Sequence, residues 1–250
     1  MSALGLAGRA LAGTYRRGGR LFLVAPLAAA LVVVPEFLQH AAEIHIGMFD
    51  SRAAARAVAN DPLRWAFGYA KLAGLALAFF AGARVWWCRE RGGGDWWRID
   101  RIDWPHFLLG LAILTLAPLL AQPLKSGGLA AAGQVAEWLL SLATLPAFLH
   151  ALKGIFADRA TPARTVWTRG WRYLPLFLLL FAAAFAPAMA LHYALHGLAF
   201  GRPTALVWML MALDSLVVGL LAALVGAAFY TAYAAFRDGA DQPRAVAATV

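Results

Sequence analysis

The sequence predicts an all-α, polytopic integral membrane helical bundle with six transmembrane helices. Three observations carry this: an excess of apolar residues, the length of the apolar runs, and the way basic residues alternate between those runs. Of 250 residues, 62% are hydrophobic and 14% are charged. A soluble domain is about half apolar and about one quarter charged, and a core of this size cannot bury such an excess. A spanning helix needs about 20 mostly apolar residues to cross roughly 30 Å of hydrocarbon. Continuous runs of that length argue against a β-barrel, whose strands alternate over roughly ten residues.

Residues 1–20 form an N-terminal interfacial segment with four arginines, and residues 21–236 the six-helix domain. The first span is Leu21–Leu38, interrupted by Pro26 and Pro35. It is too long for the apolar part of a signal peptide, and no small-x-small site follows, so it reads as a retained helix. The second is Trp65–Trp87, with Lys71 inside it, and the third is the short Phe107–Ala121. The fourth, Leu129–Leu152, carries Glu137. The fifth is Leu174–Phe200, and the sixth, Leu206–Tyr230, carries Asp214. Internal prolines such as Pro118 and Pro187 are tolerated where neighbouring helices satisfy the freed carbonyls. Residues 237–250 read as a disordered cytoplasmic tail.

Lysine and arginine counts set the orientation. Segments sharing a side with the N-terminus hold 16 basic residues and the opposite segments hold 5. Both termini are therefore expected in the cytoplasm, and the protein in a bacterial inner membrane, where arginine-heavy, alanine-rich usage fits a GC-rich genome. The net charge of +9 sits between apolar runs, not on one folded face, so the expected partners are anionic lipid headgroups and not nucleic acid. A homo-oligomer or a membrane-protein partner is compatible with the sequence. The single cysteine, Cys88, excludes an internal disulfide and any CxxC motif.

The stretch "GDWWRIDRIDWPHFLLGL" (Gly94–Leu111) passes from tryptophan, arginine and aspartate to apolar residues within a few positions. Tryptophan collects at the headgroup level and arginine reaches lipid phosphate, so Trp96, Trp97, Arg98, Arg101 and Trp104 read as interface anchors. Asp95 is placed to cap a short turn and Pro105 to open the next helix. Trp167, Arg169, Trp171 and Arg172 repeat the pattern before the fifth span, and "TYRRGGRLFLV" (Thr14–Val24) before the first. Each odd helix is thus entered from a basic-aromatic segment, which suggests three helical hairpins in parallel orientation.

This order, with the marker "ARTVWTRGWRYLPLFLLLF" (Ala163–Phe181), resembles the YciC-like bacterial inner-membrane proteins and the related membrane domain of some glycerophosphodiester phosphodiesterases. The resemblance implies a six-helix membrane domain without known catalytic residues. Nothing resembles the soluble phosphodiesterase domain, so that activity is not implied.

Ionisable residues inside spans are costly and are candidate functional groups. Glu36, Lys71, Glu137 and Asp214 all fall in the outer half of the bilayer, the last three within about one helical turn in depth. They read as an intramembrane polar cluster, either an ion pair or a ligand pocket. A second constellation is histidine-based. His192 and His196 stand at i, i+4 near the outer end of the fifth span. Glu36, His40 and Glu43 stand at i, i+4, i+7 if the first span continues as helix. His40, Glu43, His192 and His196 are candidate ligands for a divalent metal, because imidazole and carboxylate bind zinc readily. HExxH, GxSxG and phosphate-binding glycine motifs are absent.

The leading functional expectation is a non-enzymatic inner-membrane protein of scaffold or accessory type, with no catalytic residues and no cofactor. One alternative is a small transporter or channel built on Asp214, Glu137 and Lys71. The other is a membrane-embedded, metal-dependent enzyme using the outer histidine and glutamate residues.

Overall fold

The computed structural model describes residues 3–92 and 94–241. Among these there are eleven α-helices and no strand. They are α1 (Ala3–Val24), α2 (Pro26–His45), α3 (Arg52–Ala57), α4 (Pro62–Arg91), α5 (Trp104–Leu116), α6 (Gln122–Ser126), α7 (Ala130–Thr144), α8 (Pro146–Ile155), α9 (Ala163–Arg169), α10 (Leu174–Ala199) and α11 (Thr204–Asp241). Five stretches are helical, long and apolar enough to cross a membrane: Pro26–His45, Pro62–Arg91, Trp104–Ser126, Ala163–Ala199 and Thr204–Gly239. A sixth arises if α7 and α8, bent by 43° where Pro146 interrupts the ladder, are one span.

The first span is displaced from its expected position. The helix breaks at Ala25 (φ −152°, ψ 66°), and Pro26 opens α2, where its missing N–H costs nothing. The spanning segment therefore runs to His45, seven residues beyond the expected Leu38. The third segment also runs further than Ala121, through a 3-10 turn (Pro118–Ala121) and α6. At the other end, α11 continues to Asp241, so the start of the expected tail is helical and only 242–250 lie outside the described residues.

The chain divides into two compact units, Met1–Trp86 with Leu179–Phe229 and Trp87–Leu178 with Tyr230–Val250. In the first unit α2 is turned inside out relative to a soluble helix. Leu27, Leu31, Val34 and Leu38 are exposed, while Glu36, Gln39, His40 and Glu43 are buried. An apolar exterior around a polar interior suits lipid as solvent. Val32, Ala78, Val218 and Ala222 form a core cluster between α2, α4 and α11. Glycine sets the helix spacing here. Pro35 deprives Leu31 O of its intrahelical donor, and at Gly74 of α4 an added Cβ would lie 2.2 Å from that oxygen. At the crossing of α4 and α11, a Cβ on Gly226 would lie 2.8 Å from Phe79 O.

In the second unit α5 and α8 meet through small residues. A Cβ on Gly110 would lie 2.6 Å from Ala147 O, and one on Gly154 would lie 2.3 Å from Phe107 N. Helix α8 ends in a Schellman turn: Asp158 N bonds Lys153 O and Ala157 N bonds Gly154 O, both at 3.0 Å. The left-handed position is filled by Ala157 (φ +50°) instead of glycine. Asp158 then accepts from Thr161 Oγ1 (2.7 Å) and Tyr233 Oη (2.9 Å), which ties the turn to α11.

Candidate metal centre

Four helices of the first unit build the site. On α2, the 3.6-residue period places Glu36, Gln39, His40 and Glu43 on one inward face. From α4 come Arg64 and Lys71, from α10 the i, i+4 pair His192 and His196, and from α11 Asp214. Phe49, Ala199, Val207 and Met211 form the apolar cluster beside them.

Asp214 is at the centre and is fully buried. One carboxylate oxygen, Oδ2, lies 2.9 Å from His40 Nε2, 2.8 Å from His192 Nδ1 and 3.2 Å from His196 Nε2. The three rings pack on one another, with centroids 5.1 Å apart for His40 and His196 and 4.5 Å for His192 and His196. His40 is bounded by acids at both ends: Nε2 is also 3.2 Å from Glu36 Oε1, and Nδ1 is 3.1 Å from Glu43 Oε2. Glu43 Oε1 accepts from Arg64 Nε (3.0 Å) and Gln39 Nε2 (3.1 Å). Lys71 Nζ donates to Glu36 Oε1 at 2.9 Å. Glu36 Oε2 and Gln39 Oε1 are buried with no hydrogen-bond partner among the described residues.

The charges do not close. Glu36, Glu43 and Asp214 are buried acids, and Lys71 and Arg64 are the permanent cations paired with them. An uncompensated buried charge costs several kcal/mol, so the cluster needs one more positive charge, as imidazolium or as a metal. Two overlapping donor sets have the spacing for a metal. The ligand atoms of His40, His196 and Asp214 lie within 4.8 Å of one another, as do those of Glu36, His192 and Asp214. Ligands about 2.0–2.2 Å from a tetrahedral zinc are themselves about 3.3 Å apart, close to the distances around Asp214. The contact from His40 Nδ1 to Glu43 is the carboxylate support that ligating histidines usually have.

The cluster opens into a cavity of about 460 Å³. Glu43, His192 and His196 line it on the acid-imidazole side, Arg52, Arg64 and Lys71 supply cations, and Met48 and Phe200 are apolar.

The sequence set out two constellations, an acid-lysine cluster and a histidine-acid cluster. The structure brings Glu36, Lys71 and Asp214 together with His40, Glu43, His192 and His196 in one place. Glu137 is elsewhere: it belongs to the second unit and pairs there with Lys125 across the α6–α7 turn. Gln39 and Arg64 were not singled out by sequence reasoning. Gln39 could have been found from its i+3 and i−4 spacing to Glu36 and Glu43. Arg64 carries no such signal, because it lies three residues into α4 and reaches Glu43 only through the fold.

The interface anchors lie in the second unit. Trp97, Trp104 and Trp171 are exposed, while Trp96 and Trp167 are partly buried. Arg98 and Arg101 flank or form a 3-10 turn (Ile99–Arg101), and Arg169 and Arg172 are exposed at the end of α9 and in the 3-10 turn Gly170–Tyr173. Arg98 grips Asp100 through two hydrogen bonds (2.8 and 2.7 Å), which hold the Asp100 carboxyl down at about 2. Pro105 stands in the first turn of α5, as expected, and Asp103 caps that helix, accepting from His106 N and lying 2.9 Å from His106 Nδ1. Partial burial works to raise the Asp103 carboxyl, but the His106 contacts outweigh it and lower it.

No family model matches the chain, and no curated protein or solved structure matches it.

Proposed function

We propose that the protein is a membrane-embedded metalloenzyme, with a zinc-class divalent ion held by His40, His196 and Asp214 and a fourth position open to water. One observation carries this reading: three imidazole nitrogens from two helices converge within 3.2 Å of one oxygen of a fully buried aspartate on a third. Scaffold function does not call for such a cluster, since replacing buried polar networks by apolar packing is often neutral or stabilising. A transport site on Asp214, Glu137 and Lys71 is less well supported, because Glu137 pairs with Lys125 in the other unit.

The chain's own residues take distinct roles. Glu43 orients His40 through Nδ1 and is fixed by Arg64. Glu36, anchored by Lys71 through Oε1, keeps Oε2 unpartnered and can take a proton from a water in the site. The ion would supply Lewis acidity and an activated water at neutral pH. The reaction class is therefore metal-assisted hydrolysis of a substrate entering the cavity.

The wider setting belongs to the same proposal. The basic-residue bias supports a multi-pass protein of a bacterial inner membrane with six spans and both termini in the cytoplasm. It places the metal centre toward the outer leaflet, and the basic-aromatic segments against anionic lipid on the inner one. The three-hairpin arrangement and the YciC-like resemblance remain architectural proposals on the same footing.

Elemental analysis of protein purified without added metal tests the core of the reading. The expected result is about one zinc-class ion per chain, lost in His196→Ala and in Asp214→Asn. Metal-free protein that also fails to take up zinc on titration would overturn it, leaving an imidazolium to supply the missing charge.

A further inference from the structure

Arg52 stands out among the charged residues that line the cavity. Arg64 and Lys71 each neutralise a glutamate of the cluster. Arg52 makes no ion pair among the described residues, and its guanidinium lies over the Phe200 ring, 5.8 Å from the centroid. Stacking of this kind holds a guanidinium plane in place while leaving its N–H edge available. Ser51 caps α3 by accepting from Ala54 N at 3.0 Å, which fixes the turn that carries Arg52. The cavity therefore has a poised donor fork at its rim and the acid-imidazole cluster at its other side.

The formal charge around this space depends on the metal. With neutral imidazoles, Lys71 and Arg64 balance two of the three acids of the cluster. A divalent ion would then leave one net positive charge there, and Arg52 at the rim adds a second facing the same cavity. Such a site attracts anions, and a guanidinium fork matches the paired oxygens of a phosphoryl group. Met48 and Phe200 add an apolar wall, suited to a ligand with a hydrocarbon part.

Resting on the reading of the cluster as a metal centre, we infer that the cavity binds a phosphoryl oxyanion, held between the ion and the guanidinium of Arg52. The oxyanion belongs either to a lipid headgroup or to a soluble phosphate compound. By linkage the coupling is reciprocal: metal raises anion affinity and the anion raises metal affinity by the same factor.

Cobalt-loaded protein in maltoside micelles gives a direct readout, since the visible bands of Co²⁺ report its ligand set. Inorganic phosphate should shift those bands to saturation. Arg52→Ala should weaken the phosphate response by roughly tenfold, the loss of one charge-assisted hydrogen bond, with Arg52→Lys in between. Arg52 is exposed, so these variants keep the fold. Gly197 lines the cavity, and a Cβ there meets nothing within 4 Å, so Gly197→Leu should block phosphate while cobalt still binds. The source is separated by repeating the spectra in phosphatidylcholine nanodiscs with and without phosphatidic acid. A shift on adding the lipid alone identifies a headgroup site, and a shift only with inorganic phosphate identifies a soluble one. Cobalt spectra that ignore both, or an Arg52→Ala response equal to wild type, overturn this inference and leave the metal centre standing. Failure to bind cobalt at all overturns the metal centre, and the anion site with it.

Discussion

Asp214 shows how one side chain organises the site. Fully buried, it meets three histidine nitrogens through a single oxygen. Without Asp214, the rings face one another and two glutamates with nothing between them. Asp214→Asn keeps the volume and removes the charge, and should abolish metal retention while the protein still inserts. Glu43 acts one step back, through His40 Nδ1. Glu43→Gln should weaken metal affinity by about 10- to 100-fold, the usual loss when a ligand's carboxylate support is removed, as read by competition with a chromophoric chelator. Lys71 is different again. It neutralises buried Glu36 and touches no proposed ligand of the ion other than through that acid. Lys71→Met should lower stability by about 3–5 kcal/mol, the cost of an unpaired buried charge. Thermal unfolding in detergent checks this, and an unchanged midpoint would show that His40 alone suffices to compensate Glu36.

At the level of the helices, α2 decides whether the site exists. Its residues were legible in the sequence, including the i, i+4, i+7 spacing of Glu36, His40 and Glu43. Whether the helix continued past Leu38 was not. Hydropathy centres a span on its most apolar stretch, and the polar run from Glu36 to His45 argued for an end. Burial of that run against His192, His196 and Asp214 overrides the local signal, a tertiary effect that no window of sequence contains. The same reason hid the union of the two constellations, since depth in the bilayer says nothing about azimuth around a helix. Two consequences elsewhere can be measured. Ala157 occupies a left-handed position at the end of α8, so Ala157→Gly should stabilise the protein by about 0.5–1 kcal/mol. Gly154→Ala pushes a Cβ into the α5 backbone and should cost about 1–3 kcal/mol. Asp103 caps α5 with a lowered carboxyl. Its contribution is present above the ordinary aspartate value of about 3.9 and is lost as pH falls through its folded value. The exchange protection of the His106 amide, measured against the intrinsic rate at each pH, should therefore fall in acid, and not in Asp103→Asn.

For the whole molecule, the membrane reading rests on an apolar exterior around buried charge, and the threading rests on arginine. A cysteine placed at Arg56 in a Cys88→Ser background should react with an impermeant reagent in intact cells, while one at Arg101 should not. The reverse pattern would invert the threading and move the metal centre to the inner leaflet, though it would leave the ligand set intact. The ligand set itself is read by an anomalous difference map at the zinc edge, from crystals of the intact chain. One peak is expected about 2.0–2.2 Å from His40 Nε2, His196 Nε2 and an Asp214 oxygen. A map with zinc at surface histidines and none among these three residues would rule the metal centre out.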